Sequence, residues 1–212
     1  MSQRVEYRDV ACAGFFEGLN LSAETGSSVM VVTSREDESE QILLLAAGLI
    51  LPSSGDVLLN GECIREMPYQ KLIQARQTLG LIPSGGGLVS NLKLWENIML
   101  PELYHGGGVS QSAENYALEQ LERSGYSGNT MALPAHLSLY EKRTAAFIRA
   151  ALRGPDTLIC SHTLESISAT SRARLAEMIT SYQHSAGSAV IYLTDSPVPP
   201  AGISFDTVVT VH

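Results

Sequence analysis

Short runs rich in β-branched residues alternate along this chain with longer stretches of helical period. That alternation narrows the possible folds more than any other feature. A helical stretch at 140–152 leads through Gly154-Pro155 into an apolar run at 157–160, and a second at 168–182 leads into the run 189–194. Repeated strand and helix units of this kind are accommodated by a mostly parallel sheet with helices on its faces. Nearer the start, runs at 4–10, 19–23 and 29–33 predict three more strands, which form a β-rich, antiparallel edge. Residues 39–49 predict a buried helix in which Ala46, Ala47 and Gly48 allow close packing, and Pro52-Ser53-Ser54-Gly55 stops it. Asn60-Gly61 supplies the positive φ angles of a tight hairpin turn, with a short strand expected near Cys63 and Ile64. A strand at 78–82, a helical stretch over 94–123 broken at Gly106-Gly107-Gly108 and a last strand at 206–211 complete the reading.

With 212 residues, 44% of them apolar, the chain can bury a substantial core, and general disorder is excluded. A mean hydropathy of +0.06 agrees with this. Fourteen Lys and Arg against 22 Asp and Glu give a net charge of −8, which argues against nucleic acid as a partner. The longest wholly apolar run, 42–51, has ten residues, about half of the roughly 20 a membrane-spanning helix needs, so no direct membrane insertion is expected. Residues 1–10 lack the apolar stretch of a secretory signal, which predicts a cytoplasmic location. Cys12, Cys63 and Cys160 are few and unpaired in spacing, and they read as buried thiols.

Four strings, in order and at spacings that need little or no gap, resemble the nucleotide-binding subunit of ATP-binding cassette (ABC) transporters. They are Ala47-Gly48-Leu49 with 52–61; Leu79-Gly80-Leu81-Ile82 with Leu88, Leu92 and Glu96-Asn97; Leu137-Ser138 with Arg149-Ala150 and Pro155; and 189–194. The resemblance implies a P-loop NTPase-type α/β fold over 1–212, a single domain with an inserted helical subdomain at 84–138. It also implies residues for nucleotide chemistry, and here the chain departs from the family pattern.

The glycine-rich phosphate loop aligns with 33–40, where none of its glycines is present, Ser39 stands at the lysine and Glu40 at the Mg²⁺-ligating hydroxyl. Glu36, Asp37 and Glu38 add carboxylates to the same segment, each repelling a phosphate ~5 Å away by about 1 kcal/mol even at the dielectric constant of water. Ser161 and His162 align with the Walker B aspartate and glutamate, Ser84 with the glutamine that reaches the metal, and Asp195 with the switch histidine. Leu137-Ser138-Leu139-Tyr140-Glu141 stands at the signature sequence. These positions predict a non-catalytic relative, a pseudo-ATPase with no ATP or Mg²⁺ cofactor and no metal site. It would act as a structural or regulatory partner of a permease or of an active homologue, peripheral at the inner face of the membrane. The alternatives are an atypical but active ATP-binding subunit, with Glu165 as the nearby carboxylate, and a stand-alone interaction protein. Leu88, Leu92, Trp95 and Tyr104 fall where the family meets its permease, although Trp95, at helical spacing with Ile98 and Met99, equally suits the core of the insertion.

Ser161, His162 and Asp195 are also the residue types of a nucleophilic triad. Neighbours on a strand point to opposite faces, however, so Ser161 and His162 do not make a nucleophile and its base. Cys160 and His162 supply two metal ligands without a second pair. The runs Gly85-Gly86-Gly87 and Gly106-Gly107-Gly108 read as loops, and 36–40 as a solvated helix start whose carboxylates suit the positive end of the helix dipole.

Overall fold

In the computed structural model, residues 3–104 and 108–211 are described. The chain opens with two antiparallel strands, β1 (Gln3–Cys12) and β2 (Phe16–Glu24), followed by β3 (Ser28–Val32) and helix α1 (Glu36–Ala46). The hairpin β4 (Ser54–Leu59) and β5 (Glu62–Cys63), helix α2 (Tyr69–Arg76) and β6 (Leu79–Ile82) come next. Helices α3 (Leu94–Tyr104), α4 (Gln111–Arg123) and α5 (Leu139–Ala151) precede β7 (Thr157–Ser161), α6 (Ala169–Ala186), β8 (Ala189–Thr194) and β9 (Thr207–Thr210).

The strands form two sheets. One is antiparallel in the order β2-β1-β4-β5, and the other is wholly parallel in the order β6-β7-β8-β3-β9. Both faces of the parallel sheet are covered, which is why its strands are continuous apolar runs rather than alternating ones. Side chains of successive residues leave opposite faces. Ile191 and Leu193 of β8 therefore enter a core shared with α1 and the antiparallel sheet, through Ile42, Leu45, Tyr7 and Leu21. Val190 and Tyr192 enter a second core with the helices, through Phe147, Ile148, Leu175, Ile98 and Met99.

Several sequence expectations are adjusted. Helix α1 begins at Glu36, not residue 39, so the acidic run forms its first turn, and it ends at Ala46, three residues early. Gly48, at φ +60°, sits where an added Cβ would lie 2.8 Å from Ile64 Cγ2, and this close approach closes the helix end. Helix α2 was not anticipated. It is eight residues long with none of them fully buried, and only Leu72 and Ala75 pack on the core, too short and shallow an apolar face to mark a helix. Gly106 and Gly107 of the expected break lie outside the described residues. Cys12 and Cys160 are buried as expected, and burial pushes the Cys160 thiol up to about 12. Cys63 is half-exposed instead, because it lies in a two-residue strand at the end of the antiparallel sheet, with its Sγ 3.5 Å from Asp56 Oδ1.

Two turns are set by backbone conformation. Asn60 and Gly61 both have positive φ, +50° and +82°, and join β4 to β5 as their sequence predicts. Gly55 lies opposite an irregularity of β1 with φ +76°, and a Cβ there would lie 2.2 Å from the Asp9 carbonyl oxygen. Gly55→Ala therefore meets backbone on one side and torsional strain on the other. It is expected to destabilise the chain by about 2 kcal/mol or more, read as a lower urea midpoint at unchanged slope.

Candidate functional site

Ligands of open parallel sheets bind beyond the carboxyl ends of the strands, where the connecting loops converge. In this chain β3 ends before Thr33, β6 before Pro83 and Ser84, β7 at Ser161 and β8 at Thr194. Because β8 lies between β7 and β3, residues distant in sequence meet there.

Thr33 donates its N–H to the Thr194 carbonyl at 2.8 Å, and its hydroxyl lies 2.9 Å from Ser39 Oγ. Ser39 is fully buried and shares a hydrogen bond with His162 Nε2 at 3.1 Å. His162 is itself buried, with φ +48°, and donates its N–H to the Leu193 carbonyl at 2.9 Å. Its Nδ1 lies 3.9 Å from Asp195 Oδ1. The sequence-predicted residues Ser39, His162 and Asp195 therefore form one polar row. His162 turns to Ser39 across 123 residues rather than to its neighbour Ser161. The row has the order of nucleophile, base and carboxylate, but no surface of Ser39 is open to a substrate.

Glu38 folds back over the loop. Its carboxylate accepts the Ser34 N–H at 2.8 Å and the Arg35 N–H at 3.3 Å, and it pairs with the Arg35 guanidinium at 3.3 Å. Arg35 also pairs with Asp37 at 3.2 Å. Glu40 is exposed and lines a groove of about 550 Å³ with Glu36, Asp37, Leu43, Leu44, Pro83, Ser84 and Ser161. Ser138 lies elsewhere, as the N-cap of α5. Its hydroxyl accepts the Glu141 N–H, and the Glu141 carboxylate accepts the Ser138 N–H at 2.7 Å.

One functional position was not found by sequence reasoning, while Glu165 was expected as a nearby carboxylate. Arg143 on α5 is 4% exposed and donates to the carbonyls of Ser84, at 2.6 Å, Thr163, at 3.3 Å, and Glu165, fastening the loop after β6 to the segment after β7. Burial lowers its pKa, and the Glu165 carboxylate opposes that shift. Its only signal in the sequence is a charged residue on the apolar face of a helix. Glu165 itself accepts hydrogen bonds from Tyr192 Oη at 2.8 Å and Thr194 Oγ1 at 2.7 Å. Burial, with the Glu165 charge second, raises the Tyr192 phenol far above its ordinary value.

Of the expected contact residues, Leu88 and Trp95 are half-buried and pack on the helical core, so Trp95 is in part a core residue. Tyr104, 85% exposed, lies nine residues further along α3, about 14 Å at the helical rise, and does not join them. No helix among the described residues is long and apolar enough to cross a membrane. Among the described residues no group of three His, Cys, Asp or Glu is arranged to hold a metal.

The fold is that of the ATP-binding cassette ATPases. The post-hydrolysis dimer of the ATP-binding cassette MJ0796 bound to ADP and Pi superposes with a TM-score of 0.75 at 18% identity, covering 91% of this chain and 88% of that one. The cbiO1 structure from Clostridium perfringens, part of the ABC transporter complex cbiONQ, gives 0.76 at 13% identity, covering 100% and 85%. In sequence, the chain is 28% identical over 191 residues to the lipoprotein-releasing system ATP-binding protein LolD of Shewanella denitrificans, covering 89% of this chain and 81% of that protein. It is 31% identical over 145 residues to LolD of Xanthomonas axonopodis pv. citri, covering 68% and 59%. It is also similar, at 25% over 176 residues, to the methionine import ATP-binding protein MetN 2 of Enterococcus faecalis, and spans about half (51%) of that relative's length. No protein-family model matches the chain.

These relatives correct the expectation of a non-catalytic pseudo-ATPase without ATP or Mg²⁺: each is named as an ATP-binding protein, which favours the alternative of an ATP-binding subunit. The expectation was built on side-chain identities. A phosphate loop holds its ligand largely through backbone N–H groups, which those identities do not specify. The side chains at this loop do not themselves match a polyphosphate. Arg35 is its one basic group and is engaged by Asp37 and Glu38, while Glu36 and Glu40 are exposed beside it. No step of ATP hydrolysis is therefore derived from them.

Proposed function

We propose that this chain is an ATP-binding subunit of an ABC-type transporter, held at the inner face of a membrane by a permease. The observation that carries the reading is the match to the lipoprotein-releasing ATP-binding protein over 89% of this chain, together with the cassette fold. In this reading the nucleotide lies beyond the ends of β3, β6, β7 and β8. Glu40, Ser84, Ser161 and Asp195 stand beside it, with Ser39 and His162 buried behind them, and Ser138 heads the helix that meets a second subunit. Residues 84–138 form the helical subdomain, and Leu88, Leu92 and Trp95 lie on its permease side. The names of the relatives span transported substrates from lipoprotein to methionine.

Calorimetric titration of ATP into the purified chain, with and without Mg²⁺, tests this. Saturable heat below millimolar ATP that requires Mg²⁺, with phosphate release under the same conditions, is the expected result. Absence of heat up to millimolar ATP overturns it.

A further inference from the structure

Glu165 lies in the segment that follows β7, and it does not line the groove at Glu40, Ser84 and Ser161. Both oxygens of its carboxylate are occupied: Tyr192 Oη lies 2.8 Å from Oε2 and Thr194 Oγ1 lies 2.7 Å from Oε1. Each hydroxyl in turn accepts a backbone N–H, that of Leu164 at 3.0 Å for Tyr192 and that of Ser196 at 3.1 Å for Thr194. The proton of each hydroxyl is therefore directed at Glu165. A general base acting on water needs that water within hydrogen-bond reach, and this carboxylate is turned to the protein instead.

Thr194 carries the connection on to the buried row. Its carbonyl accepts the Thr33 N–H at 2.8 Å and the Thr33 hydroxyl at 3.3 Å. A carbonyl only accepts, so the Thr33 proton points to it. Thr33 Oγ1 is then left to accept from Ser39 Oγ at 2.9 Å, and Ser39 Oγ to accept from His162 Nε2 at 3.1 Å. The row thus has a direction, and its last member is an Nε2–H. On the other side of the ring the Asp195 carboxylate, 3.9 Å from Nδ1, favours a proton there instead. The two ring nitrogens compete, and the row decides between them. His162 and Ser166, both with positive φ, +48° and +58°, bracket Glu165, and such backbone persists only where its surroundings over-determine it. Arg143 holds the carbonyls of Thr163 and Glu165, and Arg172 that of Leu164, so the segment is fastened without the Glu165 side chain.

We propose that Glu165 is a positioning residue: by holding the Thr194 hydroxyl it fixes the carbonyl that orients Thr33 and Ser39, and so keeps the His162 proton on Nε2. Without it the proton passes to Nδ1, and the ring draws Asp195 toward itself. The consequence for ATP rests on the proposed function, in which Asp195 stands beside the nucleotide. The state of the imidazole does not rest on it.

The test is nitrogen-15 NMR of the imidazole rings in the full chain at about pH 8, with His162 assigned through its backbone. The parent is expected to carry the His162 proton on Nε2. Glu165→Met, which keeps the length and removes both acceptors, and Thr194→Val are each expected to move about half of the molecules or more to the Nδ1 form. The double variant is expected to move no more than either alone, because the two residues act in one line. Thr194→Ser restores the hydroxyl and is expected to match the parent. Tyr192→Phe, which strips a hydroxyl from the other carboxylate oxygen, is expected to lower the melting temperature without moving the proton, and so separates positioning from a general loss of packing. A parent proton on Nδ1, an unmoved proton in Glu165→Met, or the same change in Tyr192→Phe or Thr194→Ser overturns the proposal, and the parent spectrum decides even where a variant does not fold. ATP is titrated into the same samples, with affinity expected to fall about fivefold or more in Glu165→Met. A parent that binds no ATP overturns the proposed function and leaves the row to the NMR result. Unchanged affinity in Glu165→Met beside a moved proton overturns the link to the nucleotide.

Discussion

Replacing Arg143 by methionine is expected to lower the melting temperature by about 6–12 °C. The stem of the side chain is retained, but the Ser84, Thr163 and Glu165 carbonyls lose a charged donor inside a site that is 4% exposed. Hydrogen bonds to charged groups contribute about 1.5–3 kcal/mol each and do not add, so a total of roughly 3 kcal/mol is the reasonable expectation. At about 2–4 °C per kcal/mol for a chain of this size, that gives the shift quoted. Thermal melting by circular dichroism checks it. Amide exchange adds a local readout: protection should fall first in residues 83–87 and 163–165, the two segments that the guanidinium holds together. A melting point within 2 °C of the parent would mean that these carbonyls find water instead, and that Arg143 does not fasten the loop.

Asn97→Ala is expected to have the second largest effect, about 2–3 kcal/mol, or roughly 4–12 °C. Asn97 is fully buried at the start of α3. Its amide oxygen accepts the Val89 N–H at 2.7 Å, and its amide nitrogen donates to the carbonyls of Val89, Leu92 and Lys93 at 3.0–3.1 Å. One side chain thus ties both ends of a five-residue loop that has no strand or helix of its own. Alanine leaves the Val89 N–H and the Leu92 carbonyl without the partners that the fully buried Asn97 side chain supplied. Leu88 and Leu92, two of the residues placed toward a permease, belong to the segment that would loosen. Amide exchange in 88–93 separates this outcome from a general loss of stability, which would raise exchange throughout α3 as well.

These two residues also mark where sequence reasoning stopped. Asn97 was visible only as half of the string Glu96-Asn97, matched to a family pattern, and nothing in the string discloses that its amide turns back on residues 89–93. Arg143 lies one turn into α5 and was passed over, because an isolated arginine on a helix usually faces water. The acidic run was read correctly as a helix start, and its carboxylates were then counted as charges lining a phosphate site. The structure divides them: Glu38 is folded onto the Ser34 and Arg35 amides, while Glu36 and Glu40 face the groove. The larger error was to infer chemistry from side-chain identities at a loop whose binding groups are mostly backbone, and the named ATP-binding relatives corrected it.

By itself the sequence determined the local elements: the apolar runs of the parallel sheet, the Asn60-Gly61 turn and the acidic helix start at 36–40. Each depends on residues within a few positions of one another, through strand and helix period, positive φ or a side chain that reaches the next turn. Only the tertiary structure decided which polar residues meet. Ser39 reaches His162, and Arg143 reaches Ser84, because β8 lies between β7 and β3 while β6 flanks β7. That order is set by burying both faces of one sheet at once, against α1 and the antiparallel sheet on one side and the helices on the other, and no stretch of local sequence specifies it.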